Sequence, residues 1–168
     1  LVGDLDGDGK NDVALPSDPH DYTRPPAVSV YLGNGDGTLG AESRYRALFF
    51  PFSIALADLN GDGAGDIAVA DQVIPGQVPG KVFVLLGRGD GSLLTGIRFD
   101  AAPEPRALTS GDFNRDGLRD LAVAHGAYRP DPFQPPVPGD VSVLLGLRDG
   151  GFAPPAHYPA GPDPVSLA

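Results

Sequence analysis

One nine-residue pattern recurs three times and limits what this chain can fold into. The copies are Asp4–Asp12 (DLDGDGKND), Asp58–Asp66 (DLNGDGAGD) and Asp112–Asp120 (DFNRDGLRD), each starting 54 residues after the one before. Every copy has an oxygen-bearing side chain at positions 1, 3, 5 and 9. These are Asp4, Asp6, Asp8 and Asp12; Asp58, Asn60, Asp62 and Asp66; and Asp112, Asn114, Asp116 and Asp120. Glycine holds position 6 in all three, as Gly9, Gly63 and Gly117. A short loop wraps a hard cation in this way: alternate residues turn inward and the glycine permits the tight turn. The main-chain carbonyl of position 7, at Lys10, Ala64 or Leu118, is free to join the side chains.

The donor set is all oxygen, with no His in any loop and no Cys in the chain, which suits calcium, magnesium or manganese and not zinc or copper. Magnesium prefers a rigid octahedron with retained waters. A flexible loop with four side chains and a carbonyl fits calcium better, and the expectation is three calcium sites. The simpler alternative is an Asp-Gly hairpin turn with no metal. Three copies in phase, each keeping all four acceptors, favour the cation. Two carboxylates ~4 Å apart repel by ~4 kcal/mol at an effective dielectric of about 20, so such a loop needs a positive partner. By carboxylate count the first loop is expected to bind tightest. The third is expected to bind weakest, because Arg115 stands at position 4 where the others have glycine.

Each loop runs into a short apolar stretch: Val13–Leu15, Ile67–Ala70 and Leu121–Ala124. A second repeated element follows. Val28–Gly33, Val82–Gly87 and Val141–Gly146 share a V-x-V-x-L-G pattern and lead into Gly- and Asp-containing turns. Each unit therefore reads as four antiparallel strands. Strand A (Ser53–Ala57, Ala107–Gly111) precedes the acidic loop and B follows it. C is the Val-rich run, and D lies near Ser43–Leu48, Ile97–Ala101 and Ala156–Ala160. Four strands per repeat at this period make a propeller blade, all-β, and a lone blade needs neighbours to cover its faces. The blades fall at about 1–49, 50–103 and 104–160, with 161–168 opening the strand A of a next one.

The combination D-x-[DN]-x-D-G-x-x-D, apolar strand, V-x-V-x-L-G and G-D-G resembles the FG-GAP or VCBS repeats. These occur in the β-propeller of integrin α subunits and in many bacterial secreted and surface proteins. The resemblance covers essentially the whole chain. It implies calcium in the A–B loops, on one face of a propeller that often has seven blades. Applied residue by residue, it assigns the twelve side chains named above as ligands.

Three divalent ions would bring the net charge from −10 to −4, so the acidity belongs mostly to cation sites. Nucleic acid and anionic membranes are excluded as partners on that ground. No apolar run is long enough to span a membrane. The 168 residues, with 24 Gly and 19 Pro, suit one domain of short strands and turns. The chain has no Met and starts at Leu1, which reads as a piece of a longer protein: part of a larger propeller, or half of a six-bladed ring. In the second case a head-to-tail homodimer would form. The tail Pro164–Ala168 aligns with Pro51–Ala55 and would supply the strand A that the first blade lacks.

The B–C connections differ most between units: Pro16–Pro26, Gln72–Gly80 and Tyr128–Pro138. They lie on the face opposite the acidic loops, stiffened by proline, and are the expected place for a protein or glycan ligand. Arg88-Gly89-Asp90 spells an adhesion tripeptide, but it occupies the turn that reads Asn34-Gly35-Asp36 in the first unit, so it is a turn variant. With three His and two Glu and no nucleophile or zinc motif, catalysis has little to work with, and His125 reads as structural. The expectation is a non-enzymatic binding, adhesion or scaffold module. A lectin-like module and the propeller of a polysaccharide lyase are the alternatives. Extracellular calcium sites have dissociation constants of ~10⁻⁴–10⁻³ M, which points to the cell surface, the extracellular space or the periplasm.

Overall fold

The computed structural model describes residues 1–17, 23–46, 50–71, 80–94, 96–129, 133, 135–161, 164, 166 and 167. Among these residues there are strands, turns and bends and no helix. The first sheet runs β1 (Val2–Gly3), β2 (Asp12–Pro16), β3 (Ala27–Tyr31) and β4 (Ser43–Arg46), in chain order and antiparallel throughout. The second is β5 (Pro51–Ala57), β6 (Asp66–Asp71) and β7 (Lys81–Gly87), with its outer place divided between β8 (Leu93–Leu94) and β9 (Arg98–Asp100). The third repeats the order of the first with β10 (Pro105–Gly111), β11 (Asp120–His125), β12 (Asp140–Leu144) and β13 (Ala156–Pro159).

The fold is therefore all-β, three antiparallel sheets of propeller-blade type. Strand A begins two residues earlier than the apolar pattern predicts, at Pro51 and Pro105, with a register shift just after each proline. Proline has no N–H to give a ladder, so it sits at a strand's first residue or at a bulge. Strands D end near their expected places, although residues 47–49 lie outside the described set. The divided outer strand of the second sheet was not foreseen. Its inner part, β8, corresponds to single bridges in the other sheets, Gly33 to Leu39 and Gly146 to Phe152.

The core lies between sheets. Leu5, Ala14, Val28 and Val30 of the first sheet pack against Ile67, Val69, Phe83, Leu85 and Leu93 of the second. The other face of the second sheet, with Leu59, Ala68, Ala70, Val82 and Val84, packs against Leu108, Leu121, Val123, Leu144 and Phe152 of the third. Successive side chains on a strand point to opposite faces, so β6 and β7 serve both interfaces at once. β6 is buried along its whole length, as is β11 of the third sheet, while β2 is covered on one face only. Leu15 and Leu39 on the first sheet and Phe113 and Tyr158 on the third are more than one-third exposed. Their counterparts in the middle sheet, Val69, Leu93, Leu59 and Phe99, are packed between sheets. Pro164 stands against Gly139 as Pro105 stands against Gly80, but most of the tail expected to open a further strand is outside the described residues.

Candidate metal centres

Each acidic loop closes an A–B hairpin. The residue before position 1 pairs with position 9: Gly3 with Asp12, Ala57 with Asp66 and Gly111 with Asp120. Within the loops, backbone N–H groups and side-chain oxygens follow one scheme. Position 1 accepts from the amide of position 6: Gly9 to Asp4 at 2.9 Å, Gly63 to Asp58 at 2.9 Å and Gly117 to Asp112 at 3.0 Å. Position 3 accepts from position 5 at 2.9–3.1 Å, through Asp6, Asn60 and Asn114. Position 5 accepts from position 7 at 2.8 Å, from Lys10 to Asp8, Ala64 to Asp62 and Leu118 to Asp116. The chain thus turns around its own carboxylates. Positions 4 and 6 have positive φ, as Gly7 and Gly9, Gly61 and Gly63, Arg115 (62°) and Gly117. An arginine in the left-handed region is strained where glycine is not.

Position 9 stands apart from the other three. Asp12, Asp66 and Asp120 are at most 1% exposed. One oxygen of each accepts the amide of position 2, from Leu5, Leu59 or Phe113, at 2.7–2.8 Å. The other accepts the amide of the glycine that ends strand C, from Gly33, Gly87 or Gly146, at 2.8 Å. That glycine is required: a Cβ there would meet the carbonyl oxygen of Asn11, Gly65 or Arg119 at 2.1–2.2 Å. The last glycine of V-x-V-x-L-G and the last aspartate of the acidic loop are therefore two halves of one latch. Burial pushes the Asp66 carboxyl above the usual range, against the pull of the Gly87 and Leu59 amides, and Asp62 and Asp58 add to the rise. Sequence reasoning treated position 9 as one ligand among four. The latch was legible only as the recurrence of that glycine.

In the first loop, one carboxylate oxygen from each of Asp4, Asp6 and Asp8 lies within 4.8 Å of the others. Desolvation raises the Asp6 carboxyl, and repulsion from Asp8, Asp12 and Asp4 adds to it despite the Asp8 amide. Lys10 forms an ion pair with Asp8, which lowers the Asp8 carboxyl and raises the lysine. In the other loops Asn takes position 3, and its Nδ2 donates to Asp62 or Asp116 at 2.9 and 2.8 Å. Asp58, Asn60 and Asp62, and likewise Asp112, Asn114 and Asp116, occupy the same places as Asp4, Asp6 and Asp8 in the hydrogen-bond scheme. This hard, all-oxygen set fits a calcium-like cation, which would bring the positive charge that the crowded carboxylates lack. A cleft of about 460 Å³ runs between the first and second loops, lined among others by Asp4, Asp6, Asp62 and Arg88.

Elsewhere, Ser142 bridges His125 Nε2 (2.9 Å) and His157 Nδ1 (3.1 Å), and His157 Nδ1 also meets Asp140 at 2.8 Å. Serine and aspartate share one imidazole nitrogen, whereas a nucleophilic triad uses both, and Ser142 is fully buried. His125, at the end of strand B, is 1% exposed. Arg88 and Asp90 are exposed in a hairpin turn, where Asp90 accepts the Ser92 amide at 2.9 Å. Of the B–C connections, residues 18–22, 72–79, 130–132 and 134 lie outside the described set.

Stacked antiparallel sheets of one repeat, each with an acidic loop at its A–B corner, define a β-propeller repeat protein. The model of the FG-GAP-like repeat matches residues 4–69 and again 58–123, and the chain belongs to that family. It is also 30% identical over 135 residues to integrin alpha-V of Gallus gallus, a match that covers 73% of this chain and 13% of the relative.

Proposed function

We propose that this chain is a calcium-binding propeller module of an extracellular or cell-surface protein, working in binding, adhesion or scaffolding and not in catalysis. The observation that carries the reading is the convergence of Asp4, Asp6 and Asp8 oxygens in a backbone scheme that the second and third loops repeat. The similarity to integrin alpha-V supports the extracellular placement. Among the described residues, no helix is long and apolar enough to cross a membrane. The full ligand set in this reading is positions 1, 3, 5 and 9 with the carbonyl of Lys10, Ala64 or Leu118. The ion would tie the two arms of each A–B hairpin together.

The ligand-holding face is the one opposite the acidic loops, where the B–C connections emerge. Its described large side chains include Arg24, Arg129 and Phe133, the last 95% exposed. A protein or a glycan is the partner class that such a rim of arginine and aromatic side chains fits. The exposed apolar residues of the outer sheets are inter-blade surfaces, filled by further blades of the same repeat. Light scattering of the 168-residue chain tests the alternative, a head-to-tail homodimer.

Thermal unfolding with and without calcium tests the whole reading. At ~1 mM calcium and a dissociation constant of ~10⁻⁴ M, each site adds about 1.4 kcal/mol, so three sites add about 4 kcal/mol. A melting temperature that ignores a chelator would overturn the reading.

A further inference from the structure

The three loops share a backbone but not the donor that sits on the position 5 carboxylate. Its first oxygen is committed in every loop to the amide of position 7. Its second oxygen is where the loops differ. In the second and third loops that oxygen takes a neutral amide N–H from Asn60 or Asn114. In the first it takes the ammonium of Lys10. The lysine is placed by packing as well as by charge. Its stem crosses Gly35 of the neighbouring C–D turn, where a Cβ would stand 2.8 Å from the Lys10 Cδ. Positive φ at Gly35 makes glycine the residue of choice there, and the missing Cβ makes room for the stem.

We propose that Lys10 is a built-in competitor for the cation of the first loop, which makes this loop fill after the second, although it has one more carboxylate. The deduction rests on the calcium reading above and deepens it. A divalent ion entering the second or third loop meets a neutral amide. It displaces only an uncharged N–H there, while the asparagine oxygen keeps the position 5 amide. An ion entering the first loop must displace a tethered positive charge and then coexist with it. The displaced side chain has somewhere to go, because an open cleft of about 440 Å³ lined by Lys10, Gly35, Gly37 and Thr38 lies beside it. Counting carboxylates puts the first loop ahead of the second. Counting net charge over positions 1, 3, 5, 7 and 9 makes them equal at −3, since Lys10 cancels the extra aspartate. The ion pair at Asp8 then puts the first loop behind. The module would respond to calcium in two stages, the second stage set by one lysine.

Site-resolved titration decides this. The amides of Gly9, Gly63 and Gly117 occupy the same place in each loop, and their nitrogen–proton correlations follow calcium loop by loop. In the unaltered chain Gly9 should reach its midpoint at about tenfold higher calcium than Gly63, the scale of a fixed like charge a few ångströms from the ion. In Lys10→Ala and in Lys10→Gln, Gly9 should move to the Gly63 midpoint or below, with Gly63 and Gly117 unchanged. A Gly9 midpoint at or below that of Gly63 in the unaltered chain overturns the proposal. So does a Gly9 midpoint that both substitutions leave in place. If none of the three amides responds, the calcium reading itself falls, which is a different result from equal loops.

Discussion

The first and third acidic loops are built on the same backbone and differ in almost everything attached to it. Both place a carboxylate at position 1 that accepts the position 6 amide, and both bury a position 9 aspartate between two amides. The first has four carboxylates, glycine at position 4 and a lysine on Asp8. The third has three, a strained Arg115 at position 4 and Leu118 at position 7. Even position 2 differs in its surroundings: Leu5 is 2% exposed beneath the second sheet, while Phe113 is 50% exposed on the outer face of the third. The comparison separates two tasks. The latch of Asp12 or Asp120 to its glycine sets the loop's shape. Positions 3, 4 and 7 differ between the loops, and they tune what the loop holds.

The largest effect expected of this division comes from cutting the latch. Asp12→Ala and Asp120→Ala each strand two amides, one buried and one half-buried, at a cost of about 3 kcal/mol by urea unfolding in chelator. The same change at Asp8 or Asp116 should have little effect on stability under those conditions. If position 5 proves as costly as position 9 without calcium, the separation of shape from tuning is wrong.

Next in size is the backbone strain of the third loop. Arg115→Gly should gain roughly 0.5–1 kcal/mol in chelator, the relief at a left-handed position less the added freedom of glycine in the unfolded chain. Gly7→Arg should lose a similar amount in the first loop. Unequal or opposite changes would mean that the two positions are not equivalent, despite their shared positive φ.

The smallest effect distinguishes the strands behind the loops. His125 ends strand B in the third sheet, where the first has Ser17, whose Oγ accepts the Ala27 amide. Burial holds the His125 imidazole below its ordinary value, with a further push from His157 and an opposing pull from Asp140. A base whose folded pKa is depressed stabilises the fold fully above its unfolded value of about 6.5, and that stability is lost as pH falls toward the folded pKa. The melting temperature in saturating calcium should therefore drop between pH 7.5 and 5.5, and His125→Gln should flatten the drop. An unchanged slope would place the titration elsewhere.

The sequence alone disclosed the three loops, the strand order within each unit and the family, because all of these are written at short, repeated spacings. A side-chain period of two makes a strand, and glycine at position 6 permits the turn whatever lies beyond it. Arg115 was recognisable as misplaced from the copies beside it. The tertiary structure decided what spacing cannot carry. Asp12 reaches Gly33 across 21 residues and a hairpin, so the double duty of position 9 exists only once strands B and C are paired. Lys10 meets Asp8 with its stem laid over Gly35, in a C–D turn brought alongside by the same pairing. Leu59 and Phe113 hold the same place in the repeat, and only the stacking of sheets determines that one is buried and the other exposed. Burial depends on which surface comes to lie opposite, and a local pattern of apolar residues does not specify that surface.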